Sequence, residues 1–169
     1  MTDYFAYFDL PALPTVDQAL LKRRFYANSK RFHPDFHTLA DAATQDEALE
    51  QSTRNNRAYK TLADDDGRLR HLLELRGALG AEGTNQVPQD FLLEIMDVNE
   101  ALMELEFDDD PAVRNKVTGL IDQLEADLAR DAAPALSTSD PAALDEATLA
   151  TLADYYLKRR YLLRLRQKI

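Results

Sequence analysis

Helix-forming residues dominate this chain, and that bias limits the folds open to it more than any other feature. Ala, Leu, Arg and Glu are abundant, whereas glycine occurs only five times in 169 residues. These abundant residues favour the α-helix. Apolar residues also recur at helical spacing, and no segment shows the strict apolar–polar alternation of a half-buried strand. The sequence therefore predicts an all-α protein.

Composition and charge narrow the classes of function. The hydrophobic content of 45% favours a folded, soluble protein, and the lack of cysteine excludes disulfides, thiolate metal sites and cysteine nucleophiles. No segment approaches the roughly 20 apolar residues of a membrane span, and the N-terminus lacks the pattern of a signal peptide. We therefore expect a cytoplasmic protein without a membrane partner. The net charge is −10, which argues against nucleic-acid binding.

Residues 1–63 are predicted to form a short aromatic helix followed by an antiparallel helical hairpin. Thr15 and Gln18 have the spacing of a capping box, which predicts a helix start, and Thr44 and Glu47 repeat that spacing. The two hairpin helices are expected to end near residues 33 and 62. In the first of them, the buried face is expected to hold Leu21, Phe25 and Phe32.

His33-Pro34-Asp35 is predicted to lie at the tip of this hairpin. Pro34 disfavours helical geometry at the preceding residue, so the helix should stop near His33 and leave an imidazole and a carboxylate open to a partner. A metal-dependent enzyme using His33, Asp35 and His37 is an alternative. It is disfavoured because no fourth ligand lies nearby and because a hairpin tip is usually convex.

The motif and the basic helix before it resemble the J-domain of DnaJ-type co-chaperones, over residues 3–63. The resemblance implies docking on a DnaK-type chaperone and stimulation of its ATPase. The implied contact residues are His33, Pro34, Asp35, Lys22, Arg23, Tyr26 and Lys30. One departure concerns Phe36, because most J-domains have a basic residue directly after the Asp.

The remainder of the chain is predicted to form a connecting segment, residues 64–87, and a three-helix bundle, residues 88–169. The connecting segment holds a short helix, 68–76, which could pack on either side, and a glycine-containing loop, 77–87. The bundle helices are expected at 88–106, from Asp110-Pro111 to residue 130, and from Asp140-Pro141 to the C-terminus. Residues 131–139 are expected to form a loop.

The helix at 88–106 carries more apolar surface than one core-facing stripe needs. The predicted core stripe holds Phe91, Ile95, Val98, Leu102 and Leu105. A second stripe holds Leu92, Met96 and Met103, with Leu93 beside it. Geometry alone leaves open whether that second stripe packs on another helix or binds a partner. In the last helix, Leu157, Tyr161 and Leu165 are expected outside the main apolar face.

An N-terminal J-domain followed by an acidic three-helix bundle is similar to the HscB family. That resemblance implies delivery of an iron–sulfur scaffold protein of the IscU type to a DnaK/HscA-type chaperone, without enzymatic activity or a cofactor. The implied scaffold contacts are Leu92, Leu93, Met96, Asp97, Glu100, Glu104 and Tyr161. A general J-domain co-chaperone, with another client or with self-association through its bundle, remains an alternative.

Overall fold

The computed structural model describes residues 2–80, 84–107 and 110–169. These residues contain α-helices and two short 3-10 turns, and no strand occurs among them, which confirms the predicted all-α fold. The helices are α1 Tyr4–Tyr7, α2 Gln18–Arg31, α3 Ala42–Ala63, α4 Asp65–Leu75, α5 Gln89–Glu94, α6 Met96–Phe107, α7 Pro111–Leu136 and α8 Glu146–Arg166. The 3-10 turns are Pro34–Phe36 and Pro141–Ala143. No helix within these ranges is long and apolar enough to cross a membrane.

The chain divides into two compact units. The first consists of Met1–Leu75 and Thr138–Ala143, and the second of Arg76–Ser137 and Leu144–Ile169. Helix α4, whose packing side the sequence left open, belongs to the first unit.

The first unit is built on the α2–α3 hairpin, with α1 packed against α3. Two rings of the aromatic run are buried in this unit, since Phe5 and Phe8 are each only 1% exposed. Leu21 from α2 and Leu62 from α3 are fully buried in the same unit. The packing of α1 on α3 therefore joins distant parts of residues 1–63.

Buried polar groups fasten α4 to the rest of the first unit. The Arg68 guanidinium donates from Nε to the carbonyl of Pro14 at 2.7 Å and from Nη1 to the carbonyl of Leu62 at 2.8 Å. It also pairs with the carboxylate of Asp65. His71 accepts a hydrogen bond at Nε2 from the backbone N–H of Tyr4, at 3.0 Å. Burial disfavours the charged imidazole, so the pKa of His71 is lowered.

The second unit is a three-helix bundle in which α6 packs on α7 and α7 packs on α8. All five residues of the predicted core stripe, from Phe91 to Leu105, are buried. All of them except Leu105 pack with residues of α7 and α8: Val117, Ile121, Leu162 and Leu165. The bundle prediction is confirmed, but one residue was assigned to the wrong side of α8. Leu165 was expected outside the main apolar face of α8 but is 4% exposed, because it closes the core opposite α6 and α7.

The predicted capping boxes are wrong, because aspartates cap these helices. Asp17 accepts from the N–H of Leu20 at 2.9 Å and starts α2, two residues after Thr15. Asp41 accepts from the N–H of Thr44 at 2.8 Å and starts α3, three residues before Thr44. The hydrogen bond from Thr44 also lowers the pKa of the Asp41 carboxyl. A carboxylate is a strong N-cap because it accepts a charge-assisted bond near the positive end of the helix dipole.

Four further boundaries differ from the prediction. The expected helix at 88–106 is interrupted at Ile95, which ends α5 and precedes α6. Helix α4 begins at Asp65, where the Asp64 carboxylate accepts from the Gly67 N–H at 2.7 Å. Helix α7 does not end near residue 130 but continues through part of the expected loop to Leu136, with Pro134 in its last turn. Asp140-Pro141 opens only a 3-10 turn, and α8 begins later, capped by Asp145.

Candidate chaperone-docking and client-binding sites

The tip of the first hairpin is a compact turn rather than a long open loop. Helix α2 ends at Arg31, slightly earlier than predicted, and Phe32 closes it with a bond from its N–H to the carbonyl of Asn28, at 2.9 Å. The next residues form the 3-10 turn Pro34–Phe36, held by a 3.0 Å bond from the Phe36 N–H to the carbonyl of His33. The proline therefore opens the 3-10 turn, three residues beyond the end of α2.

His33 and Asp35 project from this turn into solvent. The Asp35 N–H donates to His33 Nδ1 at 3.2 Å, and an Asp35 carboxylate oxygen lies 3.6 Å from the same nitrogen. Their side chains are 53% and 82% exposed, respectively. The bond from the backbone orients the imidazole, while the carboxylate keeps most of its surface for another molecule. This arrangement suits docking on a macromolecule better than chemistry in an enclosed pocket.

The third residue of the metal hypothesis, His37, is directed elsewhere. Its Nε2 lies 3.1 Å from the carbonyl of Arg31, which closes the turn against the end of α2. Within the described parts of the chain, no group of three His, Asp or Glu side chains has a geometry that could hold a metal ion. The structure therefore gives the metal-dependent alternative no assembled site.

The basic face of α2 is free of the hairpin core. The residues expected on it, Lys22, Arg23, Tyr26 and Lys30, are all exposed. The opposite side of α2 is held by α3: the Phe25 ring stacks on that of Tyr59 at 4.2 Å, and Asn55 donates to the Phe25 carbonyl at 3.1 Å. These contacts fix the rotation of α2 about its axis, so its basic face points to solvent.

The turn also exposes apolar side chains. Phe36, which stands where most J-domains have a basic residue, is 69% exposed, and its ring meets that of His33 edge-on at 5.9 Å. Leu39 is fully exposed three residues later. Sequence reasoning missed Leu39 as a surface feature. The available signal was an isolated leucine in a short segment that has no helical periodicity.

The second candidate surface lies on α5 and α6, on the sides away from the bundle core. Leu92, Leu93 and Met96 are 41%, 69% and 52% exposed, respectively. The carboxylates expected beside them, Asp97, Glu100 and Glu104, are exposed as well. Among residues 84–107 and 110–169, no ion pair involves these three acids. The exposed sides of α5 and α6 therefore combine apolar surface with negative charge that no ion pair neutralises.

Tyr161 reaches this region from α8. Its ring is half-buried and meets that of Phe91 edge-on, with the centroids 6.3 Å apart. Two cations cover the aromatic faces: Lys158 Nζ lies 5.5 Å from the Phe91 centroid, and the Arg164 guanidinium lies 5.2 Å from the Tyr161 centroid. Such cation–π contacts hold the cations beside the rings, so α8 presents an aromatic and positively charged edge next to α5.

Sequence reasoning also left Phe107 out of this surface. Its side chain is 89% exposed at the end of α6, beyond the last residue assigned to the predicted helix. Met103, which the sequence put on the second stripe, is 61% exposed. The signal for Phe107 was its spacing of four residues from Met103.

Comparison with known proteins identifies the family. The model of the HSCB C-terminal oligomerisation domain matches residues 87–169. The co-chaperone protein HscB homolog of Vibrio cholerae (strain M66-2) is 35% identical over 139 residues, which cover 76% of this chain and 81% of that protein. The chain belongs to the HscB co-chaperone family. The resemblance predicted from the sequence is thereby confirmed.

Further HscB proteins agree in sequence and fold. The human iron–sulfur cluster co-chaperone protein HscB is 37% identical over 105 residues, or 62% of this chain and 45% of that protein. The crystal structure of human HscB superposes with a TM-score of 0.73 at 27% identity, covering 99% of this chain and 80% of that one. The structure of chaperone HscB from Vibrio cholerae superposes with a TM-score of 0.73 at 28% sequence identity. The match covers 98% of this chain and 94% of that one.

Proposed function

We propose that this protein is a cytoplasmic, non-enzymatic co-chaperone that binds an iron–sulfur scaffold protein of the IscU type. It delivers that client to a DnaK/HscA-type chaperone and stimulates the chaperone's ATPase. Docking belongs to a J-domain, residues 1–63, and client binding to the bundle, residues 88–169, with residues 64–87 as the connection. Family membership and the name of the human relative support the link to iron–sulfur cluster assembly.

The exposure of the His33 and Asp35 side chains is the observation that carries the docking half of the proposal. An 82% exposed carboxylate can form a short, charge-assisted hydrogen bond to an Arg or Lys of the chaperone. The basic face of α2 accelerates encounter with an acidic surface, because rim charges change association rate more than affinity. Stimulation follows if the docked co-chaperone binds the hydrolysis-competent state more tightly than the resting state.

The client half rests on the surface formed by Leu92, Leu93 and Met96 with Asp97, Glu100 and Glu104. Tyr161 completes it as an aromatic anchor on α8. Exposed leucine and methionine side chains can adapt to a partner's apolar surface, and the neighbouring acids select a basic partner. Aromatic residues held at the centre of a contact often carry much of the binding energy.

The docking half is tested with Asp35→Asn, which keeps the shape of the side chain and removes its charge. We expect stimulation of the chaperone's steady-state ATPase to fall at least tenfold, with an unchanged circular dichroism spectrum. Asp46→Asn, at an exposed aspartate of α3, is the control and should stimulate like the wild type. Undiminished stimulation by Asp35→Asn would contradict the docking role.

The client half is tested with the double variant Leu92→Ala/Met96→Ala. We expect its affinity for a purified IscU-type scaffold, measured by isothermal titration calorimetry, to fall at least tenfold, while scaffold-independent ATPase stimulation stays unchanged. Leu49→Ala removes a comparable exposed leucine, 57% exposed, from the first unit and serves as the control. Wild-type affinity in the double variant would refute this assignment.

Self-association is the second candidate use of the bundle. It is favoured by the description of the matching domain as an oligomerisation domain. Light scattering of the wild-type protein at micromolar concentration decides the question. A dimer that Leu92→Ala/Met96→Ala converts to a monomer would assign the surface to self-association, whereas a monomer that binds scaffold supports the proposed client role.

A further inference from the structure

We infer that the client-binding surface continues along α6 to Met103 and Phe107, and that its occupant is a basic amphipathic helix of the client. This inference rests on the proposed function and deepens it, since it assigns the contact two further residues and states the chemistry of the segment that binds. Neither residue belongs to the set predicted to touch the client.

The spacing of the exposed residues puts them on one side of α6. Met96, Met103 and Phe107 lie at i, i+7 and i+11, so at about 100° per residue their positions fall within an arc of about 40°. They are 52%, 61% and 89% exposed. The core of the bundle takes a different side of the same helix, where Val98 and Leu102 are 1% and 6% exposed. The stripe is thus separate from the face that folding requires.

The length of the stripe suits a helix rather than a single side chain. From Met96 to Phe107, within α6, the chain advances 11 residues, or about 16 Å at the rise of an α-helix. An amphipathic helix of about three turns could cover that distance with anchors at i, i+4, i+7 and i+11. An exposed apolar stripe of this kind usually marks an interaction surface.

The charge along α6 specifies the occupant of the stripe, while the cations Lys158 and Arg164 lie over the rings of Phe91 and Tyr161. Between Gln89 and Phe107 the chain carries six acidic residues and no Lys or Arg. Within α6, Glu100, Glu104 and Asp97 follow the stripe along one edge at helical spacing, and all are exposed. A helix with Lys or Arg beside its apolar face would pair with this edge while its apolar residues cover Met103 and Phe107.

A second copy of this chain fits the surface less well. A two-fold symmetric pairing through the stripe brings the same patch of both molecules together. When the two α6 helices pair antiparallel, the unneutralised carboxylates of one face those of the other, and like charges opposed across an interface cost several kcal/mol. A basic partner removes that repulsion, so charge complementarity favours the client over self-association.

The first test compares Met103→Ala/Phe107→Ala with the wild type and with Leu49→Ala as the control. We expect calorimetry with a purified IscU-type scaffold to give at least a tenfold loss of affinity for the double variant and less than a twofold change for the control. Phe107→Lys, which brings a cation to the stripe, should lose at least as much. Circular dichroism checks that the exposed-site variants keep the wild-type fold.

The outcomes separate the inference from the proposed function. Wild-type affinity in Met103→Ala/Phe107→Ala, combined with a loss in Leu92→Ala/Met96→Ala, overturns the extension and leaves the proposed client site intact. Wild-type affinity in both double variants overturns both. A wild-type dimer that Met103→Ala/Phe107→Ala converts to a monomer makes a second copy the occupant and likewise overturns the inference.

The second test addresses the chemistry of the occupant without the scaffold. Two labelled synthetic peptides of about 18 residues carry the same apolar helical face, one with Lys and the other with Glu on the polar face. Fluorescence anisotropy should detect binding of the Lys peptide and at least tenfold weaker binding of the Glu peptide. Equal binding of the two, or binding of the Lys peptide unchanged by Glu100→Gln/Glu104→Gln, overturns the charge assignment.

Discussion

At the residue scale, the first unit depends on polar side chains that are buried and still paired. Arg68 is 5% exposed and joins three segments of chain: the carbonyl of Pro14, the carbonyl of Leu62 and the carboxylate of Asp65. Asp65 itself is largely exposed and can be hydrated without its partner. The two carbonyls depend on the guanidinium, because a buried backbone acceptor without a donor is costly.

Arg68→Met should therefore destabilise the first unit. The substitution keeps an unbranched side chain in the space but leaves both carbonyls without a donor, which should lower the free energy of unfolding by about 2–4 kcal/mol. Urea denaturation followed by circular dichroism measures the change. Arg57→Met, at an exposed arginine of α3, should change stability by less than about 0.5 kcal/mol. Equal stability of the two variants would contradict this role for Arg68.

His71 should make the first unit sensitive to acid. Burial lowers the pKa of its imidazole, whereas the carboxylates of Asp3 and Glu74 act in the opposite direction. The unfolded chain therefore binds a proton at higher pH than the folded chain does. The contribution of neutral His71 to the free energy of unfolding should be fully present above its pKa in the unfolded chain, about 6.5. It should decline as pH falls below that pKa, by at most about 1.4 kcal/mol per pH unit.

The variant His71→Gln isolates this effect. Glutamine can still accept from the Tyr4 N–H but does not titrate, so the difference in unfolding free energy between pH 7.5 and pH 5.5 should be smaller than in the wild type. Urea titrations at both values measure it. His37→Gln, which changes an imidazole outside the unit's core, is the control. An equal acid effect in wild type and His71→Gln would exclude His71 as its source.

At the scale of elements, α2 combines an anchored side with a charged one. Asn55 donates from Nδ2 to the Phe25 carbonyl and to the Ser29 hydroxyl, at 3.1 and 3.0 Å, so α3 fixes the rotation of α2. The basic residues are then presented as a rigid group rather than as independent side chains on a rotating helix. A rigid array gives the encounter with a chaperone a defined orientation, which benefits the association rate.

The rate of association with the chaperone should therefore fall as salt screens the basic residues of α2. Raising ionic strength from about 0.01 M to about 0.1 M shortens the Debye length from about 30 Å to about 10 Å, and stopped-flow association rates of the wild type should fall severalfold. The triple variant Lys22→Gln/Arg23→Gln/Lys30→Gln should associate more slowly at low ionic strength, and its association rate should fall less as salt is added. The control Arg57→Gln/Lys60→Gln, which neutralises exposed cations of α3, should show the same dependence of association rate on ionic strength as the wild type. The prediction would be contradicted if the triple variant also kept the wild-type dependence.

The sequence was sufficient for the elements whose signals are unambiguous. The Asp110-Pro111 start of α7 was found because Pro fits the first turn and Asp caps it, as the 2.8 Å bond from the Ala112 N–H to Asp110 confirms. The core stripe of α5 and α6 was found because five apolar residues keep helical spacing. Exposure of Leu92, Leu93 and Met96 could not be predicted, since a bundle helix can bury two stripes.

The predicted helix boundaries were wrong where several local signals compete. Thr15 and Asp17 could each cap α2, as Thr44 and Asp41 could cap α3, and the stronger acceptor was chosen in both cases. The interruption at Ile95 has no proline or glycine to announce it. Leu165 was assigned to the wrong side because α8 buries residues around more than one face, from Leu152 and Ala153 to Leu165. Such choices depend on neighbouring helices rather than on local sequence.

At the scale of the whole molecule, charge and function divide along the chain. Residues 1–76 carry 11 Lys and Arg against 12 Asp and Glu, a balance of −1, and residues 77–169 carry 9 against 18, a balance of −9. The proposed chaperone-docking face is locally basic, whereas the proposed client surface is acidic. Opposite local charges reduce the chance that either partner binds at the wrong site, because the wrong pairing brings like charges together.

Two compact units should also unfold as separable transitions. We expect scanning calorimetry to give a van't Hoff enthalpy below the calorimetric enthalpy, since each unit has its own core. Arg68→Met should shift the transition of the first unit. Ile121→Val, which removes one buried methyl group from the bundle and costs about 1 kcal/mol, should shift the second. A single transition that both variants shift equally would refute independent unfolding.

The bond between the Tyr4 N–H and His71 joins residues 67 positions apart, and it has a consequence for biosynthesis. At about 5–20 residues per second, the ribosome makes His71 roughly 3–13 s after Tyr4. During that interval the Tyr4 N–H lacks this acceptor, and the rings of Tyr4 and Phe5 lack the imidazole on which they stack. The packing of α1 is therefore completed only after the last helix of the first unit has left the ribosome.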